Sequence, residues 1–484
     1  MRLEESTVFI SGNFNVLHAG HIRLFAFARK FGTRLLIGVN SDRIAGHTAY
    51  IEESLRLEAV ETNSLVDDAF LIYDPIETVL ENLKPLVVVK GREFEHQENT
   101  EAKVIAKYGG RLIFGSSELP LSSLNIMRHE LVAVGSANPS IPGSYLKQHE
   151  ITLEALLETV ADFNNLKVCV IGDLIVDEYI SCTSLGMSQE DPSLVVSPFD
   201  SRRFLGGAGI VSAHASALGA SSSLISIIGA DECGNFAKKK LEEYGVQGLI
   251  EVDDSRPTTL KTRYRSDEKT LLRVSHLAQT SISPTLQTAV YEHFLNRINE
   301  CDLVVFSDFN YGCLPNRLLK RCMEAASVDG PICVADSQSS SQVGDISRFK
   351  GMALISATER EVRVSLRDND DGLTVIAERL RVLADAKSVM VKLGQDGVLV
   401  HTDSGDGRVT TDQLPALNTS PVDVAGAGDS MLITAGMALA SGASPWAASA
   451  LGAVAAALQV GRLGNTPLCQ PELEKFLKSS FPTE

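Results

Sequence analysis

The chain has 484 residues, too many for one ordinary hydrophobic core, so two or three domains are expected. Its 44% hydrophobic and 22% charged content is globular and excludes a largely disordered chain. A formal charge of −17 argues against a nucleic-acid partner or an anionic membrane surface, but leaves room for small anionic ligands.

The first residues, Met1-Arg2-Leu3-Glu4-Glu5-Ser6, carry acids where a signal peptide would carry cations. No stretch reaches the roughly 18 uninterrupted apolar residues of a membrane span. The eight cysteines are scattered, without a CxxC pair or a histidine at zinc spacing. They read as reduced core residues, and a cytoplasmic protein is expected.

Thr7–Ile10 is predicted as a short strand, followed by a loop through Gly12, Asn13, Phe14 and Asn15 and a helix with Ile22, Leu24, Phe25 and Ala28 on one face. Leu35–Val39 is the next strand, so this is a β–loop–α–β unit of a parallel sheet. Ligands of such sheets bind beyond the strand carboxyl ends, where His18-Ala19-Gly20-His21 falls. His18 and His21, three apart on a first helical turn, can face one ligand and stabilise charge growing on an α-phosphate. Gly20 allows close backbone approach. Two surface histidines are the plainer alternative.

A first domain is expected over 1–132. Turn formers from Gly135 to Ser144 suggest a linker over 133–150, and Leu153, Leu156, Leu157, Val160 and Phe163 mark the helix that opens a second domain over 151–484. There, Lys167–Ile171 is a buried-type strand ending in Gly172-Asp173, whose carboxylate suits sugar hydroxyls. Residues 193–205 suggest strands of a small β-lid, and Gly206-Gly207 leads into a helix over 210–218. Lys261, Arg263, Arg265 and Arg273 form the densest cation set, fitting a substrate phosphate or, equally, a solvated strand face. Apolar runs at 303–306, 332–334, 353–355 and 388–392 each end in polar residues or glycine before a helical stretch. That pattern is a doubly wound α/β sheet with its site along one edge.

Near the C-terminus, Asp423-Val424-Ala425-Gly426-Ala427-Gly428-Asp429-Ser430 precedes a long apolar helix pattern. Alone, it fits equally a glycine-rich turn or an anion cradle at a helix N-terminus, with Asp429 placed to take a proton from a hydroxyl.

Gly12-Asn13-Phe14-Asn15 with His18-x-Gly20-His21, Val39-Asn40-Ser41-Asp42, Arg56, Val87–Gly91 and Ser122-Ser123 resembles the nucleotidyltransferase superfamily of cytidylyltransferases and ADP-heptose synthases. The resemblance implies a Rossmann-like domain in which His18 and His21 are catalytic. It implies that Gly12, Asn13, Phe14, Gly20, Lys90, Ser122 and Ser123 contact the nucleotide. Asn15 stands where an aspartate is usual, and the segment after Asp42 lacks the customary lysine.

Gly172-Asp173, Gly206-Gly207, Lys392-x-Gly394-x-Asp396-Gly397 and Gly426–Asp429 resemble the ribokinase-like (PfkB) sugar kinases over about 150–484. The nearest likeness is the heptose 7-phosphate kinase branch, through Val170–Asp173 with Asp177, Ser188–Pro192 and Val460–Gly464. It implies Asp429 as base and Ala427-Gly428 amides as anion hole. Lys392, Gly394, Asp396, Gly397, Ala425 and Gly426 then lie along ATP. Asp173, Gly206, Gly207, Lys261 and Arg263 lie on the sugar, and Glu361 near Mg2+ through water. Ile210, Tyr311, Gln338 and Thr358 depart from that pattern.

Together the halves resemble the bifunctional heptose 7-phosphate kinase/ADP-heptose synthases, with the domain order reversed. The resemblance implies phosphorylation of a sugar phosphate by ATP and nucleotidyl transfer from a second NTP, ATP or CTP, to a sugar 1-phosphate. It also implies a homodimer. Two alternatives stand beside it: the same chemistry on another sugar or polyol phosphate with CTP, and a nucleotide-binding scaffold with an inactive kinase half.

Overall fold

The structure, a computed structural model, describes residues 7–17, 19–91, 101–115, 141–266, 269–326, 330–338, 344–403, 409–418 and 420–481. His18, Ser122, Ser123 and residues 116–140 of the expected domain end and linker lie outside these. The chain divides into two compact units, 1–137 and 138–484.

In the first unit, β1 (Thr7–Gly12), β2 (Arg34–Asn40), β3 (Asp68–Ile72), β4 (Val87–Gly91) and β5 (Arg111–Gly115) form a parallel sheet in the order β3-β2-β1-β4-β5. The alternation of strand side chains sorts the core into two layers. Val8, Ile10, Leu35, Ile37, Val39, Val87 and Val89 pack on one face; Phe9, Leu36, Val88 and Ile72 pack on the other. Chain order reverses across β1, so the loop after β1 leaves the sheet at its switch point.

The second unit contains β6 (Lys167–Gly172), β7 (Leu174–Met187), β8 (Leu194–Gly207), β9 (Ser221–Ile228), β10 (Gln247–Val252), β11 (Thr259–Ser266) and β12 (Lys269–His276). They are followed by β13 (Leu303–Asp308), β14 (Ile332–Ser337), β15 (Leu354–Thr358), β16 (Ser388–Lys392), β17 (Val398–Asp403) and β18 (Val409–Leu414). Among the described residues, nine strands form the central sheet, in the order β10-β9-β6-β13-β14-β15-β16-β17-β18, and four form a smaller one, β12-β11-β7-β8. The central sheet switches between β6 and β13. Val168, Val170, Leu303 and Val305 face one core, and Cys169, Ile171, Val304 and Phe306 the other. The smaller sheet is the expected lid, but it extends well beyond 193–205 and recruits β7, β11 and β12.

Residues 141–150 are not a solvated linker. Ile141, Tyr145 and Leu146 are buried in the second unit's core. Tyr145 Oη donates to Trp446 O at 3.1 Å, while the His149 ring stacks on Trp446 at 4.1 Å and its Nε2 lies 2.7 Å from Asp412. The turn formers read as a linker are interspersed with large apolar residues that find this surface. No helix among the described residues is long and apolar enough to cross a membrane.

Candidate active sites

In the first unit the loop after β1 is fixed by a buried side-chain network. Arg56, 1% exposed, donates to Asn13 O at 2.6 Å, to Ile51 O at 2.8 Å and to Asp42 Oδ1 at 2.6 Å. Asn13 Nδ2 donates to Thr48 Oγ1 and Asn13 Oδ1 accepts from Asn40 Nδ2, each at 2.8 Å. Asn15 Nδ2 donates to Thr48 O at 2.8 Å, and its Oδ1 accepts from Tyr50 N at 3.0 Å. An aspartate could not make the first of these bonds, which is a physical reason for asparagine at this position.

Phe14 adopts φ 49°, a left-handed conformation uncommon for a bulky residue, and its ring is buried. That ring lies beneath Gly12, where an added Cβ would stand 3.2 Å from it, and meets His21 edge-on at 5.2 Å and Phe25 at 5.8 Å. Phe14 thus supports His21 from below. Gly20 and His21 open the helix Ala19–Ala28. Lys90, at the carboxyl end of β4, pairs with Glu101 at 2.7 Å.

In the second unit the helix Ala427–Ala440 starts at Gly426, φ 77°, with no side-chain cap. Its first-turn amides therefore stay available to an anion. A Cβ on Gly426 would lie 2.1 Å from Asn465 Oδ1, so glycine is required by conformation and by space. Asp429, in that first turn, is 6% exposed. Burial first, then the Asp336 carboxylate, push its carboxyl up to about 7, against the opposing pull of Lys392; Asp177 raises it further and Lys261 lowers it. Lys392 Nζ lies 2.7 Å from Asp336 Oδ2 and 3.2 Å from where a Gly428 Cβ would stand. Burial alone would lower the Lys392 ammonium, but Asp336 and Glu361 outweigh it and hold it above its ordinary range. The structure thus brings Asp429, Gly428, Lys392 and Asp336 together.

Glu361 is buried at the start of the helix Glu359–Leu366, where it forms a capping box with Thr358: Thr358 N donates to Glu361 Oε2 at 2.7 Å and Glu361 N to Thr358 Oγ1 at 3.3 Å. Threonine can cap a helix as asparagine does, so the departure at 358 leaves the cap intact. Gly394 and Asp396 sit on an exposed turn. At Gly397, φ 91°, a Cβ would strike Leu414 O, so its backbone freedom serves the strand turn.

The acid after β6 has a different setting from the one expected. Asp173 accepts from the backbone amides of Phe309 at 2.8 Å and of Tyr311 and Cys313 at 3.1 Å, fixing the loop after β13. Asp177, on β7, pairs with Arg263 and accepts from Asn465 Nδ2 at 3.2 Å; a Cβ on Gly206 would stand 2.4 Å from its Oδ2. Its charge also reaches Asp429. Of these two acids, Asp177 is therefore the one whose charge raises the Asp429 carboxyl. The sequence signal was its alternation with Ile175 and Tyr179 on one lid strand.

Lys261 lies over the Phe309 and Tyr311 rings at 4.6 and 5.1 Å, and Arg263 over Tyr179 at 5.1 Å. Arg265 faces Asp423 at 3.5 Å, whereas Arg273 is exposed. The expected cation set therefore splits. Gly207 takes φ 55° against Asp173 O. Ile210 is wholly buried in the apolar core, so this position offers no polar group. Among the described residues no cluster of three or more His, Cys, Asp or Glu could hold a metal. Asp336 Oδ1 is among the buried side-chain oxygens of the described residues that have no hydrogen-bond partner.

Residues 165–473 match the pfkB family carbohydrate kinases, and residues 9–113 match the cytidylyltransferase-like family. The bifunctional protein HldE of Desulfatibacillum aliphaticivorans is 31% identical over 325 residues, covering 66% of this chain and 64% of that protein. HldE of Helicobacter hepaticus is 28% identical over 316 residues, 64% of each. The chain thus spans just under two thirds of the length of these curated relatives. Ribokinase from Thermotoga maritima superimposes with a TM-score of 0.51 at 21% identity, over 65% of this chain and 99% of that one. Phosphofructokinase-2 from Escherichia coli, in complex with substrates and products, gives 0.53 at 15% identity, over 65% and 99%. These two likenesses establish the ribokinase-like fold. With 165–473 covering well over half its length, the chain belongs to the pfkB family of carbohydrate kinases and carries a cytidylyltransferase-like domain ahead of the kinase domain.

Proposed function

We propose that the chain is a bifunctional enzyme of nucleotide-sugar synthesis, acting on a sugar phosphate of the heptose 7-phosphate type. The observation that carries the kinase half is a buried carboxylate, Asp429, in the first turn of an uncapped helix, with Lys392 beside the neighbouring Gly428 and the charges of Asp177 and Lys261 acting on it. Asp429 takes the proton of the acceptor hydroxyl as that oxygen attacks the γ-phosphorus of ATP, and ADP leaves. Ala427 and Gly428 amides, with Lys392, hold the charge of the transferring group. Asp177 accepts from sugar hydroxyls, and Lys261 on its aromatic floor meets the substrate phosphate. Asp173 acts by shaping the loop after β13.

Mg2+ fits this site. Such ions are held by one or two carboxylates together with substrate phosphates, and Glu361 and the unpartnered Asp336 Oδ1 supply two. The ion would neutralise phosphate charge.

In the first unit, His21 with His18 stabilises the α-phosphate of a second NTP, ATP or CTP, as a sugar 1-phosphate oxygen attacks and pyrophosphate leaves. We assign contact with that nucleotide to Gly12, Asn13, Phe14, Gly20, Lys90, Ser122 and Ser123. The HldE relatives favour the heptose reading over a polyol substrate, and the retained Asp429 favours turnover over a scaffold role. We place the protein in the cytoplasm, as a homodimer joined through the lid, where Leu185, Met187, Leu194, Phe199 and Leu272 are exposed.

The test offers Mg-ATP with a panel of sugar phosphates, monitoring ADP, and each NTP with sugar 1-phosphates, monitoring pyrophosphate. Asp429→Asn should abolish only the first reaction, and His18→Ala with His21→Ala only the second. Absence of turnover with every pair would favour the scaffold.

A further inference from the structure

Asp429 meets a side-chain amide at Gln338, one of the positions that depart from the sugar-kinase pattern. Gln338 Nε2 donates to Asp429 Oδ1 at 3.3 Å. Gln338 itself is gripped from both sides: its N–H donates to Asp308 O at 2.8 Å, and its carbonyl accepts from Asn310 Nδ2 at 3.2 Å. Asn310 has φ 62°, one of the few non-glycine residues in the left-handed region, a conformation that asparagine tolerates better than most. Its own N–H donates to Asp308 Oδ1 at 3.2 Å, and its amide reaches Ser337 Oγ at 3.3 Å. The residues on either side, Phe309 and Tyr311, have their amides captured by Asp173. Asp308 is buried and held by Arg348 at 2.7 Å. A continuous set of bonds therefore runs from the anchored loop after β13, through Asn310 and Gln338, to one oxygen of Asp429. Backbone strain held in place by such over-determined surroundings is a recurring mark of a functional position.

Resting on the reading of Asp429 as the kinase base, we infer that Gln338, held by Asn310, is a positioning residue that aims the Asp429 carboxylate at the acceptor hydroxyl. A neutral amide occupies Oδ1 and leaves Oδ2 for the substrate. A lysine at this point would instead form an ion pair with the carboxylate and weaken it as a base. The other charged groups acting on Asp429 are Asp336 on β14, Lys392 on β16, Asp177 on β7 and Lys261 on β11. All four are unchanged in the variants below, so a shift in the behaviour of Asp429 reports on Gln338.

The experiment uses the full chain with Mg-ATP and D-glycero-D-manno-heptose 7-phosphate as probe acceptor. It compares Gln338→Met, Gln338→Lys, Asn310→Gly and Asp429→Asn by kcat against pH. It also follows the Asp429 carboxyl by carbon NMR, assigned through its loss in Asp429→Asn. Gln338→Met removes a donor to the charged form, so the Asp429 midpoint should rise by about one unit and kcat fall about tenfold, with the KM for ATP unchanged. Gln338→Lys should lower the midpoint. Asn310→Gly keeps the left-handed backbone but loses the amide, so it should shift the midpoint in the direction of Gln338→Met by a smaller amount. The titration needs no turnover, so it decides the relay whatever the true acceptor is. An Asp429 midpoint unmoved in Gln338→Met overturns the relay, even where Asp429→Asn is inactive. Sugar phosphorylation surviving intact in Asp429→Asn overturns the kinase reading itself.

Discussion

Asp429→Asn should make the protein both inactive as a kinase and more stable, and the second effect should depend on pH. The carboxyl is 6% exposed and is raised from 3.8 to about 7, first by burial and then by Asp336. Each unit corresponds to about 1.4 kcal/mol, so the ionised side chain costs about 4 kcal/mol of folding stability at pH 8. The sign follows from proton counting. Between about pH 4 and pH 7 the folded state binds the proton that the unfolded chain has released, so stability falls as pH rises through this window. A neutral amide of the same shape removes that dependence. Because it cannot reproduce every bond of the protonated acid, at a cost of about 2 kcal/mol, a net gain of about 2 kcal/mol at pH 8 that turns into a loss of about 2 kcal/mol near pH 4 is expected. Thermal melts of the two proteins from pH 4 to pH 8 measure it, alongside a loss of sugar phosphorylation of about a thousandfold. A melting difference of the same sign and size at both ends of the range would refute the assignment of a buried base with a raised carboxyl.

Further outcomes follow from neighbouring contacts. Gly206→Ala places a Cβ 2.4 Å from Asp177 Oδ2, so the KM for the acceptor should rise by about tenfold or more while the KM for ATP stays within twofold, read by ADP release. Asn15→Asp replaces the donor that satisfies Thr48 O in a buried loop. It should cost about 2 kcal/mol of first-unit stability by denaturant titration and suppress pyrophosphate release. Trp446→Ala removes the ring that His149 stacks on, and should lower the melting temperature of the second unit without changing nucleotidyl transfer.

Much of this architecture was legible because parallel strands and their following loops announce themselves: apolar runs such as 303–306 and 388–392 end in polar residues at the sheet edge. The Gly426–Asp429 loop alone fitted a plain glycine-rich turn as well as an anion cradle, and only its company with Gly206-Gly207 and Lys392–Gly397 pointed to the cradle. What escaped was orientation. Asp173 and Asp177 stand four residues apart near one sheet edge, and nothing local says that the first turns to the amides of 309–313 while the second meets Gly206 and Arg263. The same holds for 141–150. Its Pro142-Gly143 pair looks like a tether, and only the distant Trp446 and Asp412 give Tyr145 and His149 something to pack on. The lid's extent was underestimated because the last five residues of β7 and most of β12 are exposed and carry little hydrophobic pattern.

Phosphorus NMR of the full chain with Mg-ATP and D-glycero-D-manno-heptose 7-phosphate tests the central claim most directly. The account predicts conversion of ATP to ADP with a new anomeric phosphate resonance, lost in Asp429→Asn and retained when His21 is replaced by alanine. An acceptor left unmodified by the wild-type chain, or a product that forms equally well in Asp429→Asn, would contradict it.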